Sequence, residues 1–308
     1  MIPATAHFIW FGTKLPYIYT LAVRSACLAG GFDRVKLHAD PALLADPHVA
    51  ALRDLPAFSL EPLVPGAVLE ACALPGLLAR YERLKQPAGK ANVVRLALLD
   101  AEGGVYLDTD TLTVKPIPPL LTADAFVGEE ILVRPYWVAR SGSKLEQGKK
   151  HLRGLVRKAC TLLPHGYRAF SPLSRLFLRG VNNAVMGARP KAPLVRGLLE
   201  GILEVPEDQL LTRYRLGTHL LQETLRAHPE RAVVHPPEVF YPLGPELSRH
   251  WFVDHGVSNL PRVVTEATII VHWYASVKTD RVVAAATPEW IRAHADSQLF
   301  SHLAMRFL

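Results

Sequence analysis

The sequence predicts an α/β fold with a mostly parallel central sheet flanked by helices. Strand-like and helix-like stretches alternate over roughly the first third of the chain, the pattern of parallel strands joined by helical crossovers. Gly103-Gly104 separates an apolar helical stretch from a short apolar strand. At 308 residues, 49% hydrophobic and 20% charged, the chain is long and apolar enough for one large domain, with or without a subdomain.

Taken in order, residues 6–11 read as a first strand ended by Gly12, and residues 16–29 as a helix stopped by Gly30-Gly31. Residues 35–38 read as a second strand, followed by Ala39-Asp40-Pro41. From there to residue 90 the reading is helical material broken by Pro47, Pro56, Pro62, Pro65 and Pro75. Residues 91–102 read as a helix, 105–108 as a strand, and 111–114 as a further β segment closed by Lys115-Pro116. In the second half, residues 181–187 read as a strand, 194–203 and 218–228 as helices, 263–264 and 269–273 as late strands, and the tail from Trp290 as helical. Such a sheet is of the nucleotide-binding type, with ligands at the carboxyl ends of its strands. The tips after Trp10, Asp40 and Asp108 are therefore expected to border one crevice.

The net charge of +7 is unevenly placed: residues 131–180 hold eleven Lys and Arg against Glu146 alone, a local +10 that leaves the rest of the chain at −3. Within this segment Leu152, Leu155, Val156, Ala159 and Leu163 recur at helical spacing, with Lys149, Lys150, Arg153, Arg157 and Lys158 mostly on other faces. A basic amphipathic helix of this kind suits an anionic surface, either phospholipid headgroups or an acidic acceptor. A helix packed on the core with a solvated basic face has the same pattern. Tyr136, Trp137, Tyr167 and Phe170 accompany the charge, but no nucleic-acid-binding motif does, so no nucleic-acid partner is expected. The expected organisation is a single domain over 1–308 with 131–180 as a basic helical insertion or subdomain.

The first ten residues lack a basic, apolar leader, no window approaches a membrane span, and Cys27, Cys72 and Cys160 show neither disulfide nor metal spacing. A cytoplasmic chain is expected, with peripheral contact at the inner face of the membrane open through the basic segment; a secreted chain already without its leader is the alternative.

Asp108-Thr109-Asp110 ends the strand that follows the glycine pair. In extended backbone, residues i and i+2 face the same side, so both carboxylates can converge on one ion. Hard oxygen ligands select Mg²⁺ or Mn²⁺ over zinc, and such an ion offsets diphosphate charge. A polar turn between two strands is the competing reading. Asn92 and Arg95, three apart, share a face of the preceding helix. An Arg among Val93, Val94, Leu96 and Leu98 needs a partner: a sugar hydroxyl or phosphate, or a carboxylate such as Asp108 or Glu102.

The helix, its Arg and Gly103-Gly104-Val105-Tyr106-Leu107-Asp108-Thr109-Asp110 resemble the DXD-containing sugar-transferase region of glycosyltransferase family 32, and are similar to the glucosylating domains of large clostridial toxins. His7-Phe8-Ile9-Trp10-Phe11-Gly12 resembles the first strand of those families, Asn183-Ala184-Val185-Met186-Gly187-Ala188 their Asn-Ala motif, and His272-Trp273-Tyr274-Ala275-Ser276 their C-terminal His-Trp-Ser motif. The four blocks occur in family order. The resemblance implies a GT-A fold, a nucleotide-sugar donor, a divalent cation (Mn²⁺ or Mg²⁺) and retention of anomeric configuration, in a setting such as polysaccharide biosynthesis. It implies a catalytic group of Asp108, Asp110, Arg95 and Asn183. It implies a donor site of Phe8, Ile9, Trp10, Phe11, Gly12, Asp40, Asn92, Arg95, Tyr106, Asp108, Asn183 and Ser276, with Trp10 against the base. It implies metal ligation by Asp110 directly and by Asp108 through water, with His272 approaching the metal or the diphosphate from the C-terminal side; a buried strand-end histidine is the competing reading of His272. Two residues depart from the family: Asn92 stands where Asp is usual, and Val277 where Trp often follows the Ser, a place that Trp273 or Tyr274 would have to fill.

The expected function is a metal-dependent retaining hexosyltransferase. UDP-hexose is favoured as donor because Trp10 suits a stacked pyrimidine, with GDP-mannose open, and the acceptor is a glycan, a lipid-linked intermediate or a small molecule. A hydrolase or nucleotidyltransferase using the same Asp pair is one alternative; the chain shows no phosphate-cradling glycine loop that would support it. A non-enzymatic protein that binds anionic surfaces through 131–180 is the other.

Overall fold

A computed structural model describes residues 1–132, 143–277 and 279–308. The strand β1 (Thr5–Ile9), buried at every position, pairs in parallel with β2 (Arg34–Ala39) on one side and β4 (Gly104–Leu107) on the other. Beyond β2 lies the parallel edge strand β3 (Phe58–Pro62). On the other side β4 pairs antiparallel with the long β7 (Leu178–Ala188), β7 antiparallel with β6 (Ala125–Leu132), and β6 in parallel with β8 (Val233–His235). The order is β3-β2-β1-β4-β7-β6-β8, with four of the six neighbouring pairs parallel. A separate antiparallel pair joins β5 (Thr111–Thr113) to β9 (Ile270–His272). This is the mostly parallel, helix-flanked α/β architecture that the alternation predicts.

Side-chain alternation assigns the two faces of the central sheet. Val105 and Leu107 join Phe8, Leu37 and the Tyr17–Ala29 helix residues Ala22, Val23 and Ala26 on one face. Tyr106 and Ile9 point to the other, against Val93, Val94 and Ala97 of the Pro87–Glu102 helix. Burying each large apolar side chain here is worth about 1.5–3 kcal/mol. A third core of Trp251, Trp273, Phe300 and Phe307 closes on Ile18 and Leu21, so the C-terminal third packs against the first helix.

The structure differs from the sequence expectation in several places. Residues 58–62 form β3 rather than broken helix; Pro62 ends an edge strand, where a missing donor is tolerated. The strands β6 and β8 carry no strong strand signal and were not expected. Val263 ends a helical turn, Leu260–Val263, set by Pro261 in its first turn, so the late strand expected at 263–264 is absent. The helix expected at 91–102 starts earlier, at Pro87, its first helical residue.

Between β6 and β7 lie the helices Lys144–Leu162 and Gly166–Leu173, so the basic segment 131–180 takes in the end of one strand and the start of the next. Arg134, Tyr136, Trp137 and Arg140 of that segment lie outside the described residues. The first of these helices is amphipathic, as its spacing predicts, but Leu152, Leu155 and Leu163 are exposed rather than packed on the core. No helix among the described residues is long and apolar enough to cross a membrane.

Candidate active site

The site begins at the two glycines. The Pro87–Glu102 helix ends at Gly103 (φ 67°), and Gly104 (φ 103°) starts β4, both in the left-handed region that favours glycine. A Cβ on Gly103 would lie 2.6 Å from Pro190, and one on Gly104 2.5 Å from the Thr5 carbonyl oxygen. The elbow is held from below by two buried imidazoles. His7 Nε2 donates to the Gly103 carbonyl at 2.9 Å, which leaves Nδ1 to accept from His38 Nε2 at 3.0 Å. Burial holds His7 down to about 4, and burial with the neighbouring His7 holds His38 down to about 3, so both rings are neutral near pH 7.

From this elbow β4 runs to Leu107, and the Asp108 N–H donates to the Ala184 carbonyl of β7 at 2.8 Å. The expected extended backbone then gives way to a turn at Thr109-Asp110, closed by Thr111 Oγ1 donating to the Asp108 carbonyl at 2.8 Å. The turn delivers the chain to β5, where Thr111 stands opposite His272 of β9. That pairing carries a C-terminal imidazole to the Asp pair. His272 Nε2 lies 3.0 Å from Asp110 Oδ1, and the Ala275 N–H donates to Asp110 Oδ2 at 2.7 Å. One ligand atom each from Asp108, Asp110 and His272 lies within 4.8 Å of the others, the one such cluster among the described residues.

A second set of contacts orients Asp108. Its Oδ1 accepts from the Tyr106 hydroxyl at 2.7 Å and from Arg95 Nη2 at 3.2 Å. Arg95 is buried, lies over the Tyr106 ring at 4.1 Å, and donates through Nη1 to the Asn183 carbonyl. Of the two carboxylates open to Arg95 in the sequence, Asp108 is therefore the one it takes. Asn183 Nδ2 donates to Asn92 Oδ1 at 2.9 Å, linking β7 to the helix.

The electrostatics separate the two carboxylates. Burial pushes the Asp108 carboxyl up and Asp110 adds to this, against the opposing Arg95 charge. Burial also acts on Asp110, but the His272 charge and hydrogen bond and the Ala275 N–H outweigh it and hold that carboxyl down. Burial lowers His272, and Asp110 more than offsets it, so the imidazole is raised. Two hard oxygen donors and an imidazole nitrogen, converging from a turn and a strand end, fit a divalent cation such as Mg²⁺ or Mn²⁺. His272 Nδ1 is buried without a hydrogen-bond partner among the described residues, and the ring is oriented through Nε2 and by packing against Tyr241 and Tyr274.

The cluster lies in a cleft of about 1030 Å³. Ile9, Trp10, Phe11, Asn92, Arg95, Tyr106, Asp108, Asp110, Asn183, His272 and Ser276 all line it. Phe8 does not: it alternates away from Ile9 and is fully buried in the core. Gly12 and Asp40 do not line it either, and the Asp40 carboxylate instead accepts from the Ala42 N–H at 2.8 Å, capping the turn that follows β2. Trp10 reaches the cleft with its Nε1 donating to the Lys14 carbonyl at 2.8 Å and its ring tilted on Tyr19. Of the two residues that would have to fill the place taken by Val277 after the Ser, Trp273 is fully buried in the third core while Tyr274 lines the cleft, as does Val277 itself.

Sequence reasoning missed three contributors. Glu130 is buried, accepts from Asn182 Nδ2 at 2.8 Å and from the Tyr274 hydroxyl at 2.9 Å, and burial raises its carboxyl to about 7. It lies on a strand that was not foreseen. Asn182 was overshadowed by its neighbour Asn183. Residues 210–219 also line the cleft, and Gly217 there would bring a Cβ to 3.0 Å from the side-chain amides of both Asn92 and Asn183. The irregular turn Arg215–His219 has no sequence signal beyond that glycine.

Residues 69–127, which include the Asp pair, match the family model for the glycosyltransferase sugar-binding region containing the DXD motif. No curated protein matches the sequence. Among solved structures, mouse xyloside xylosyltransferase 1 in its apo form is similar over 90% of this chain and 99% of its own, with 17% identity and a TM-score of 0.51. The PaToxG glycosyltransferase aligns over 74% of this chain and 70% of its own, at 15% identity and a TM-score of 0.48. The UDP-bound glycosyltransferase domain of the YGT toxin aligns over 76% and 79%, at 11% identity and a TM-score of 0.41. At 17% identity the xylosyltransferase likeness is one of fold, and that fold is GT-A.

Proposed function

We propose that this chain is a metal-dependent retaining glycosyltransferase that moves a hexose from a nucleotide sugar, UDP-hexose in preference, to an acceptor hydroxyl. The observation that carries the reading is the Asp108–Asp110–His272 cluster on the floor of a cleft walled by Arg95, Asn92 and Asn183. A divalent cation held by these three residues would supply the positive charge that a departing nucleoside diphosphate needs. In this reading Asp110 and His272 hold the cation, and Asp108, fixed by Tyr106 and Arg95, faces the donor. Trp10 offers the base a ring at the cleft wall. The linked amides of Asn92 and Asn183 offer hydrogen bonds to sugar hydroxyls.

Retention without a covalent intermediate is supported by the carboxylates that line the cleft. Among the described residues these are Asp108, Asp110 and Glu130, and each is already engaged. Asp108 pairs with Arg95, Asp110 with His272, and Glu130 with Asn182 and Tyr274. None stands free as a nucleophile, so attack of the acceptor on the face that the diphosphate leaves is the route proposed. Following slow donor hydrolysis by NMR tests this: the first sugar released should carry the donor's anomeric configuration, and release with inversion would refute the assignment.

A further inference from the structure

The Lys144–Leu162 helix is mounted with its most apolar stripe outward. Leu145, Leu152, Leu155 and Leu162 follow one another at spacings of seven, three and seven, which places them along one face. They and Leu163 are each 53% to 68% exposed. Single exposed leucines are ordinary, but a row of them on one helix marks a surface made to be covered. The opposite side holds the helix to the protein. Gly154 and Cys160 are buried, Arg153 Nε donates to the Leu176 carbonyl at 2.9 Å, and Thr161 Oγ1 donates to the Glu246 carbonyl at 3.1 Å. At the helix end, Gly166 approaches so closely that a Cβ there would fall 1.8 Å from the Cys160 carbonyl oxygen. The orientation is therefore fixed by contacts that leave the leucines no internal partner among the described residues.

We infer that this leucine stripe and the lysines beside it form a docking face for an anionic phospholipid surface. Lys149 borders the stripe on one side and Lys158 on the other, both exposed, in the segment that carries +10 of the chain's charge. A second copy of the same face would set two such positive fields against each other, which disfavours self-pairing. A soluble polyanion would satisfy the lysines and leave the leucines in water. An anionic bilayer interface satisfies both: the leucines enter the boundary between headgroups and acyl chains, and the lysines stay among the phosphates. The helix is carried on β6 and β7, whose residues Leu132, Gly180 and Val181 line the active-site cleft, so docking would hold that cleft near the lipid surface. The inference does not depend on the reaction proposed above.

The test is co-sedimentation of the full chain with phosphatidylcholine vesicles, with and without phosphatidylglycerol. The expected result is binding to the anionic vesicles that weakens as salt is raised. Leu152→Glu/Leu155→Glu should reduce it about tenfold or more with an unchanged melting temperature, because both positions are exposed. Lys149→Glu/Lys158→Glu should abolish the preference for anionic lipid. Equal partition onto both vesicle types, no partition, or binding indifferent to the leucine pair would overturn the inference. So would self-association in sedimentation that the leucine variant abolishes while vesicles bind neither protein.

Discussion

His272 Nε2 lies 3.0 Å from Asp110 Oδ1, so the last strand of the chain completes a site begun before residue 111. The β5–β9 pairing makes this contact, with Thr111 opposite His272, and the Trp273 N–H donating to the Asp110 carbonyl at 3.0 Å locks the register. His272→Ala should leave the two carboxylates in place and weaken cation dependence. The loss in transfer rate should exceed the ~10–100-fold typical of removing a group that only orients a ligand. A manganese titration of turnover in the variant checks this.

Arg95 joins the fold to the site, and in the proposed reaction it also supports donor binding. Its side chain is 5% exposed and is the one Lys or Arg paired with Asp108 among the described residues; Asp108 is itself 29% exposed. Arg95→Met should destabilise the protein by about 3 kcal/mol by leaving that carboxylate uncompensated, the low end of the range for a broken buried pair. Urea unfolding measures the loss. Arg95→Lys should recover part of the stability but not the stacking on Tyr106 or the link to the Asn183 carbonyl.

Asn92 and Asn183 form one amide unit pressed by Gly217. Asn92→Asp keeps the acceptor for Asn183 Nδ2 and should preserve folding while changing the ranking of donor sugars. Gly217→Ala should push the amides from their positions and lower turnover on the order of 10- to 100-fold at unchanged melting temperature. Kinetics over a donor panel separate the two effects.

Acid should weaken the elbow under the site. His7 and His38 fall from 6.5 when unfolded to about 4 and about 3 when folded. Between those values the unfolded chain binds more protons, so stability is fully present above pH 6.5 and declines as pH falls toward 4. The slope approaches about 1 kcal/mol per pH unit for each imidazole. Denaturation at a series of pH values should show it, and His7→Gln should flatten the curve.

The sequence made legible the parts of the site that stand at element ends. Gly103-Gly104, Asp108 and Asp110 are local punctuation, readable from spacing, and resemblance added Asn183, His272 and Trp10. What it hid is tertiary. The convergence of Asp108 and Asp110 through a turn rather than a strand depends on Thr111 reaching back to a carbonyl. Glu130 enters the site through the pairing of β6 with β7, and Asp40, a strand-tip residue by sequence, caps its own turn instead of bordering the crevice. The leucines of the Lys144–Leu162 helix show the same limit: spacing reveals a stripe, but packing decides which way it faces.

The most direct test of the central claim is a thermal-shift titration of the full chain with UDP- and GDP-hexoses, with and without Mn²⁺. One nucleotide sugar should raise the melting temperature by on the order of a few degrees only when the cation is present, and Asp108→Ala/Asp110→Ala should lose both that shift and all transfer. A shift independent of the cation, or a double variant that still binds and transfers, would contradict the account.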